Sequence, residues 1–252
     1  MIELKNISAG YGKKNVIENV SFEIPGGRLI SLVGANGSGK STLLKTAAGI
    51  IGASGGGIFI DGTNAGKMTR RDIAKKVAYL AQGKSVSGMT VGQMVLHGRF
   101  PHLGYPRRYG AGDIETAGRA MAQLGIEDLA ERPLAELSGG MRQKAYIAMA
   151  LAQDTDYILL DEPTTYLDIA GQLELMRTLR RLADAGKGIL TVMHDLPLAF
   201  GFSDETAVLT EGGIAVCGKP EEVCQSGMIE RVFGTELRYS AGEKCYYYRY
   251  SR

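Results

Sequence analysis

Two stretches that alternate apolar and polar residues open the chain. Residues 2–8 (IELKNIS) and 16–24 (VIENVSFEI) do so as half-buried strands do, with the period interrupted near Asn6 and Glu18. Residues 28–33 (RLISLV) form a short apolar run that stops at Gly34, and 40–50 reads as a helix. Residues 57–60 (GIFI) and 76–80 (KVAYL) predict further strands. From about 84 to 155 the pattern changes to helical stretches with few β-branched runs, broken by a Gly/Pro/Arg-rich loop at 98–112. Strand patterns return at 157–161, 188–193, 206–210 and 214–217. Two of these alternate with helical patterns near 169–184 and 195–202, which predicts parallel βαβ units. Gly212-Gly213 reads as a hairpin turn, and the Tyr-rich end (CYYYRY, 245–250) as a terminal strand with one buried face. The expectation is an α/β fold: a sheet core from 1–83 and 156–252, interrupted by a helical insert at 84–155.

Composition narrows this picture. A chain of 252 residues suits one large domain with a sub-domain and has ample length for a core. Lys plus Arg is 29 against 27 Asp plus Glu, a net charge of +2, which argues against a dedicated nucleic-acid binder. Cys217, Cys224 and Cys245 are an odd, scattered set with no CxxC pair, so they read as unpaired packing residues in a reducing compartment. No run approaches the ~18–20 apolar residues of a membrane span, and the N-terminus lacks a signal-peptide core. A cytoplasmic location is therefore expected. The outlying count is Gly, at 35, and its clusters carry the chemistry.

The first cluster, GANGSGKS at 34–41, fits G-x-x-x-x-G-K-[ST] between an apolar strand and a helix. Gly34, Gly37 and Gly39 let the backbone curl so that successive N–H groups face inward. With the helix N-terminus they make a phosphate cradle spanning Asn36, Ser38 and Thr42. Lys40 is expected to reach the β- and γ-phosphates of ATP, and the Ser41 hydroxyl to ligate Mg²⁺. A loop of this kind needs a second acidic element to hydrolyse ATP. YILLDE at 157–162 supplies it, an apolar strand ending in two carboxylates at the edge where α/β sheets bind ligands. Asp161 is expected in the Mg²⁺ shell and Glu162 as general base for the attacking water.

The second cluster, LSGGMRQ at 137–143, precedes a helical run at 144–153. Ser138 reads as its N-cap, and Gly139 and Gly140 leave the helix start open to an anion. With two phosphate-type sites separated by a helical insert, the chain resembles the ATP-binding subunits of ABC transporters over essentially its whole length. LSGGMRQ resembles that family's signature motif, with Met141 where Gln is more usual. The resemblance implies a P-loop ABC-type ATPase core, a mixed sheet with an antiparallel β subdomain, plus a helical signature subdomain.

The resemblance also assigns residues. Tyr11 matches the aromatic that stacks on adenine, Gln82 the glutamine that senses Mg²⁺ and water, and His194 the switch histidine near the γ-phosphate. Asp168, in TTYLD at 164–168, matches the D-loop aspartate. Such ATPases act as head-to-tail homodimers, so Ser138, Gly139, Gly140 and Asp168 would serve nucleotide held by the other copy. A polytopic permease is the implied partner, with a substrate-binding protein acting indirectly, no nucleic acid, and placement on the cytoplasmic face of the membrane. GRFPH at 98–102, RRYG-x-x-D at 107–113, TTYLDI at 164–169 and RVFG at 231–234 are similar to importers of iron-siderophores, haem and vitamin B12. The loop at 98–113 would contact the permease or stabilise the insert.

Overall fold

The computed structural model describes residues 1–12, 14–81, 88–211 and 213–249. In chain order its elements are β1 (Ile2–Tyr11), β2 (Lys14–Ile24), β3 (Leu29–Val33), α1 (Lys40–Ala47), β4 (Gly55–Ile60), β5 (Thr63–Asn64), α2 (Arg70–Lys76), β6 (Val77–Leu80), α3 (Val91–Leu96), α4 (Ala111–Ala122), α5 (Gly139–Ala152) and β7 (Tyr157–Asp161). They continue with α6 (Ile169–Asp184), β8 (Gly188–Val192), α7 (Leu196–Phe202), β9 (Glu205–Thr210), β10 (Gly213–Gly218), α8 (Pro220–Gln225), α9 (Met228–Phe233), β11 (Glu236–Ser240) and β12 (Cys245–Arg249).

The main sheet has the order β10-β9-β3-β8-β7-β6 and is parallel except for β10, which returns antiparallel to β9. Its central strands β3, β7 and β8 are buried at every position. Successive side chains alternate between two cores. Ile158 and Leu160 pack with α5, α6 and α7 on one face, while Leu159 packs with Leu43 and Leu44 of α1 on the other. A parallel sheet covered on both faces reads as continuous apolar sequence, which is why YILLD and GILTV lack polar alternation. A separate antiparallel sheet, β2-β1-β4-β5, closes the α1 side and keeps the polar-out alternation of its first two strands. The fold is therefore the mixed sheet, antiparallel sheet and helical region that the family resemblance implies.

Local chemistry moves several boundaries. The helix read over 40–50 ends at Ala47, because Gly49 turns left-handed at φ 68°. The strand read from 76 begins at Val77, because Lys76 closes α2. That helix carries one buried apolar residue, Ile73, so it has no visible period; it is started instead by a reciprocal cap between Thr69 and Asp72. The loop read over 98–112 is shorter, since 97–102 forms a 3₁₀ turn and α4 starts at Ala111. β11 (ELRYS) alternates polar and apolar side chains over only five residues, and pairing with β12 completes it as a hairpin.

Of the two roles considered for the 98–113 segment, its buried half holds the helical region together. Arg99 donates to Asp113 at 3.0 Å and to the Ala152 carbonyl at 2.9 Å, and His102 Nε2 lies 2.8 Å from the Gln153 carbonyl. Arg99 and Asp113 are only 12% and 18% exposed, so this pair is shielded from solvent screening. Tyr105, Arg107 and Arg108 stay exposed.

Candidate functional site

Neighbouring parallel strands end at one edge of the sheet, and that edge gathers residues far apart in sequence. β8 lies between β3 and β7, with Val192 opposite both Leu32 and Asp161. The loop after β3, the carboxylates after β7 and His194 after β8 therefore meet. They form a cleft of about 540 Å³ lined by Tyr11, Asn36, Gly37, Gly39, Lys40, Ser41, Thr42, Glu162 and His194. Val16 of β2 also lines it and was not read from the sequence.

The glycine loop has a steric origin. A side chain at Gly34 would place its Cβ 2.2 Å from the Leu209 carbonyl oxygen. Gly39 takes φ 100° at the start of α1, and a Cβ there would meet Ile17 at 2.6 Å. Only glycine allows this curl without strain. Lys40 is buried, and its Nζ donates to the Gly34 and Ala35 carbonyls, both at 2.8 Å. Burial depresses the Lys40 pKa, while the charges of Glu162 and Asp161 pull it back up. An ammonium has three N–H groups, so a third remains to face a phosphate oxygen. Ser38 Oγ is buried with no hydrogen-bond partner among the described residues. A buried hydroxyl left this way fits a cradle completed by an anion.

The two carboxylates diverge because the chain kinks between them. Asp161 ends β7 and is 2% exposed; it accepts from Ser41 Oγ at 3.1 Å and from Tyr79 OH at 3.3 Å. Burial pushes its pKa up, the Ser41 hydrogen bond opposes this, and the Glu162 charge adds to the rise. Burial beside Asp161 likewise pushes the Tyr79 phenol up, so it stays a donor. Glu162 sits at φ 52°, a left-handed conformation uncommon outside glycine. That turn, rather than strand alternation, directs it away from Asp161. Its Oε1 lies 2.5 Å from His194 Nε2. Strain of this kind, roughly 1–3 kcal/mol, gathers where surrounding structure over-determines a functional geometry.

A magnesium ion passes the test these residues set. Mg²⁺ uses one or two protein oxygens and takes the rest from phosphate and water. Ser41 and Asp161 offer that pair, a hydroxyl and a buried carboxylate with their oxygens 3.1 Å apart. Gln82, the third expected participant, lies outside the described residues.

A second cleft, of about 590 Å³, is lined by Ser138, Gly139, Gly140, Met141, Tyr166 and Asp168 among others. Ser138 caps α5 by accepting from the Met141 N–H at 3.3 Å, and Asp168 caps α6 by accepting from the Gly171 N–H at 2.8 Å. Tyr166, at φ 72° and 71% exposed, lines it, and Ile169, the first residue of α6, is 78% exposed. Gln143 of α5 donates to the Pro163 carbonyl at 3.0 Å, joining this helix to the residue after Glu162. The structure thus separates the predicted residues into two sets, with Ser138, Gly139, Gly140 and Asp168 apart from the first cleft.

Two polar partners escaped sequence reading. Tyr79 looks like an ordinary strand residue until β6 is laid beside β7. Lys45, one turn beyond the glycine loop, donates to the Tyr11 hydroxyl at 3.3 Å and lies 5.8 Å from its ring centre. Tyr11 is 54% exposed at the cleft mouth.

Residues 17–165 match the ABC transporter family. The chain is 41% identical to the iron(3+)-hydroxamate import ATP-binding protein of Bacillus subtilis, over 92% of its length and 87% of that protein. It is 39% identical to the ferric enterobactin transport ATP-binding protein of Escherichia coli, over 91% of its length and 86% of that protein. Its fold superposes on a bacterial ABC transporter cassette solved as a dimer, with a TM-score of 0.78 and 28% identity, covering 87% of this chain and 99% of the other. The same cassette bound to ADP and phosphate superposes with a TM-score of 0.77 at 26% identity, with the same coverage.

Proposed function

The chain belongs to the ABC transporter family of ATPases, and from that membership we propose that it is the ATP-hydrolysing subunit of an iron-chelate importer, working as a homodimer beneath a separate membrane permease. The observation that carries hydrolysis is the single cleft in which Lys40, Ser41, Glu162 and His194 converge. The observation that favours an iron chelate over haem or cobalamin is that both relatives described above act, by their names, on siderophore-type iron.

In this reading the loop at 34–42 binds the phosphates through its N–H groups, and Lys40 spans the β- and γ-phosphates. Tyr11 stacks on the base, with Lys45 bracing its hydroxyl. Glu162 takes a proton from the attacking water, and His194, bonded to it at 2.5 Å, orients both. Mg²⁺, held by Ser41, Asp161 and Gln82, would neutralise charge on the transferred phosphoryl group.

A second copy contributes Ser138, Gly139, Gly140 and Asp168, whose N–H groups and helix dipole close over the γ-phosphate. Support for this comes from the separate second cleft, from exposed Tyr166 lining it, and from exposed Ile169 three residues further along the chain. Large apolar side chains exposed together mark contact surfaces. Residues 84–155 act as the moving signature subdomain against the core formed by 1–83 and 156–252, and exposed Tyr105, Arg107 and Arg108 face the permease at the cytoplasmic side of the membrane. A substrate-binding protein acts on the opposite side. Among the described residues no helix is long and apolar enough to cross a membrane.

The test is reconstitution with the neighbouring permease and measurement of ATP-driven uptake of radiolabelled ferric hydroxamate. Uptake abolished by Lys40→Ala supports the proposal; ATP hydrolysis with no chelate movement in the intact complex refutes the substrate.

A further inference from the structure

The Tyr-rich C-terminal hairpin is absorbed by none of the roles above. β11 and β12 pair so that Leu237 lies opposite Tyr248 and Tyr239 opposite Tyr246. Their inward face packs on α7: the Tyr246 ring meets Phe200 edge-on at 5.5 Å, and Leu237, Tyr246, Phe200 and Leu196 share one buried cluster. This places the Tyr248 hydroxyl where it accepts the backbone N–H of Leu196, the first residue of α7, at 3.1 Å. That N–H has no partner within a helix. Asp195 takes the Leu198 N–H at 2.9 Å, so the start of α7 is held from two directions.

His194 stands two residues before that anchor. On its other side buried Met193 is fixed by its N–H to the Leu32 carbonyl at 3.2 Å. The histidine side chain is 48% exposed, so packing alone does not set it. What sets it is the short segment from Met193 to Leu196, pinned at one end by the sheet and at the other by the hairpin. The geometry points to Tyr248 as a positioning residue that fixes the backbone carrying His194 and so its hydrogen bond to Glu162. This rests on His194 serving hydrolysis as proposed above.

The test compares ATP turnover in wild type, Tyr248→Phe, His194→Ala and the double variant. Tyr247→Phe is the control, since Tyr247 is exposed on the opposite face of β12. Loss of one hydrogen bond to a positioned backbone predicts a kcat about three- to tenfold lower in Tyr248→Phe. KM for ATP and melting temperature should stay near wild type, and amide exchange at Leu196 should quicken. If Tyr248 acts through His194, the same substitution in the His194→Ala background removes nothing further. An unchanged kcat, an unchanged Leu196 exchange rate, or an equal loss in the His194→Ala background overturns the proposal. Wild-type turnover in His194→Ala instead refutes the catalytic reading of His194 itself, and with it any route for Tyr248 through that side chain.

Discussion

Glu162→Gln isolates proton transfer from binding. Glutamine keeps the length of the side chain and still accepts a hydrogen bond from His194 Nε2, now 2.5 Å from the carboxylate. It can adopt the left-handed backbone at φ 52° as readily as glutamate, so the turn after β7 should survive. The neutral amide changes two neighbours. Lys40 loses one of the two carboxylates that hold its proton against burial, so its pKa should fall further. Asp161 loses an adjacent negative charge that raises its pKa, so it should become more acidic and a better metal ligand. Removing a negative charge from the cleft also removes its repulsion of the phosphates, which offsets the effect on Lys40, so binding of ATP is expected to persist or tighten. A general base contributes about 10²- to 10⁴-fold to rate, or roughly 3–5 kcal/mol of barrier. Phosphate release in a single turnover should slow by that factor, while ATP-dependent dimers, followed by light scattering, should accumulate. Turnover within twofold of wild type would remove Glu162 from the base role. A loss of ATP binding equal to the loss of rate would show that the carboxylate holds nucleotide instead.

Other consequences are equally direct. Gly34→Ala should fail to form the cradle, because its Cβ would lie 2.2 Å from the Leu209 carbonyl; a cost of about 1–3 kcal/mol in urea unfolding, with ATP affinity lost, is expected. Mixing Ser138→Arg with Lys40→Ala subunits should leave at most one competent site per heterodimer, so turnover by the mixture exceeds that of either variant alone; no recovery on mixing argues against a shared site. Arg99→Ala removes a shielded ion pair and the hydrogen bond to Ala152, and should lower melting temperature by a few degrees with the helical region opening first in amide exchange. Asp204 is pushed up by burial but pulled lower overall by Arg180, the Leu29 N–H and Arg28, so its folded pKa lies below the ordinary carboxylate value. Its stabilisation is complete above that ordinary value and is lost as pH falls through the folded one. The urea-midpoint gap between wild type and Asp204→Asn should thus be full at pH 7 and shrink below about pH 4; a gap that widens in acid would contradict the assignment.

Much of this was legible in one dimension because the chemistry is local there. The cradle is a contiguous run of eight residues at 34–41 whose glycines are required by backbone shape, and YILLDE announces both a buried strand and its two carboxylates. A strand buried on both faces and a strand buried on one write different patterns, so the strands could be anticipated, while their division into a mixed sheet and an antiparallel one was implied only by the family resemblance. What the pattern could not convey is which strands are neighbours. Insertion of β8 between β3 and β7 sets Ser41 against Asp161 and His194 against Glu162, across 120 and 32 residues of sequence, and no local preference encodes that. The kink at Glu162, the hydroxyl of Tyr79 on Asp161 and the reach of Tyr248 to the start of α7 arise the same way. Residue types determined what chemistry was available; the parallel sheet decided which groups share one edge, because hydrogen bonding and burial fix strand order regardless of distance along the chain.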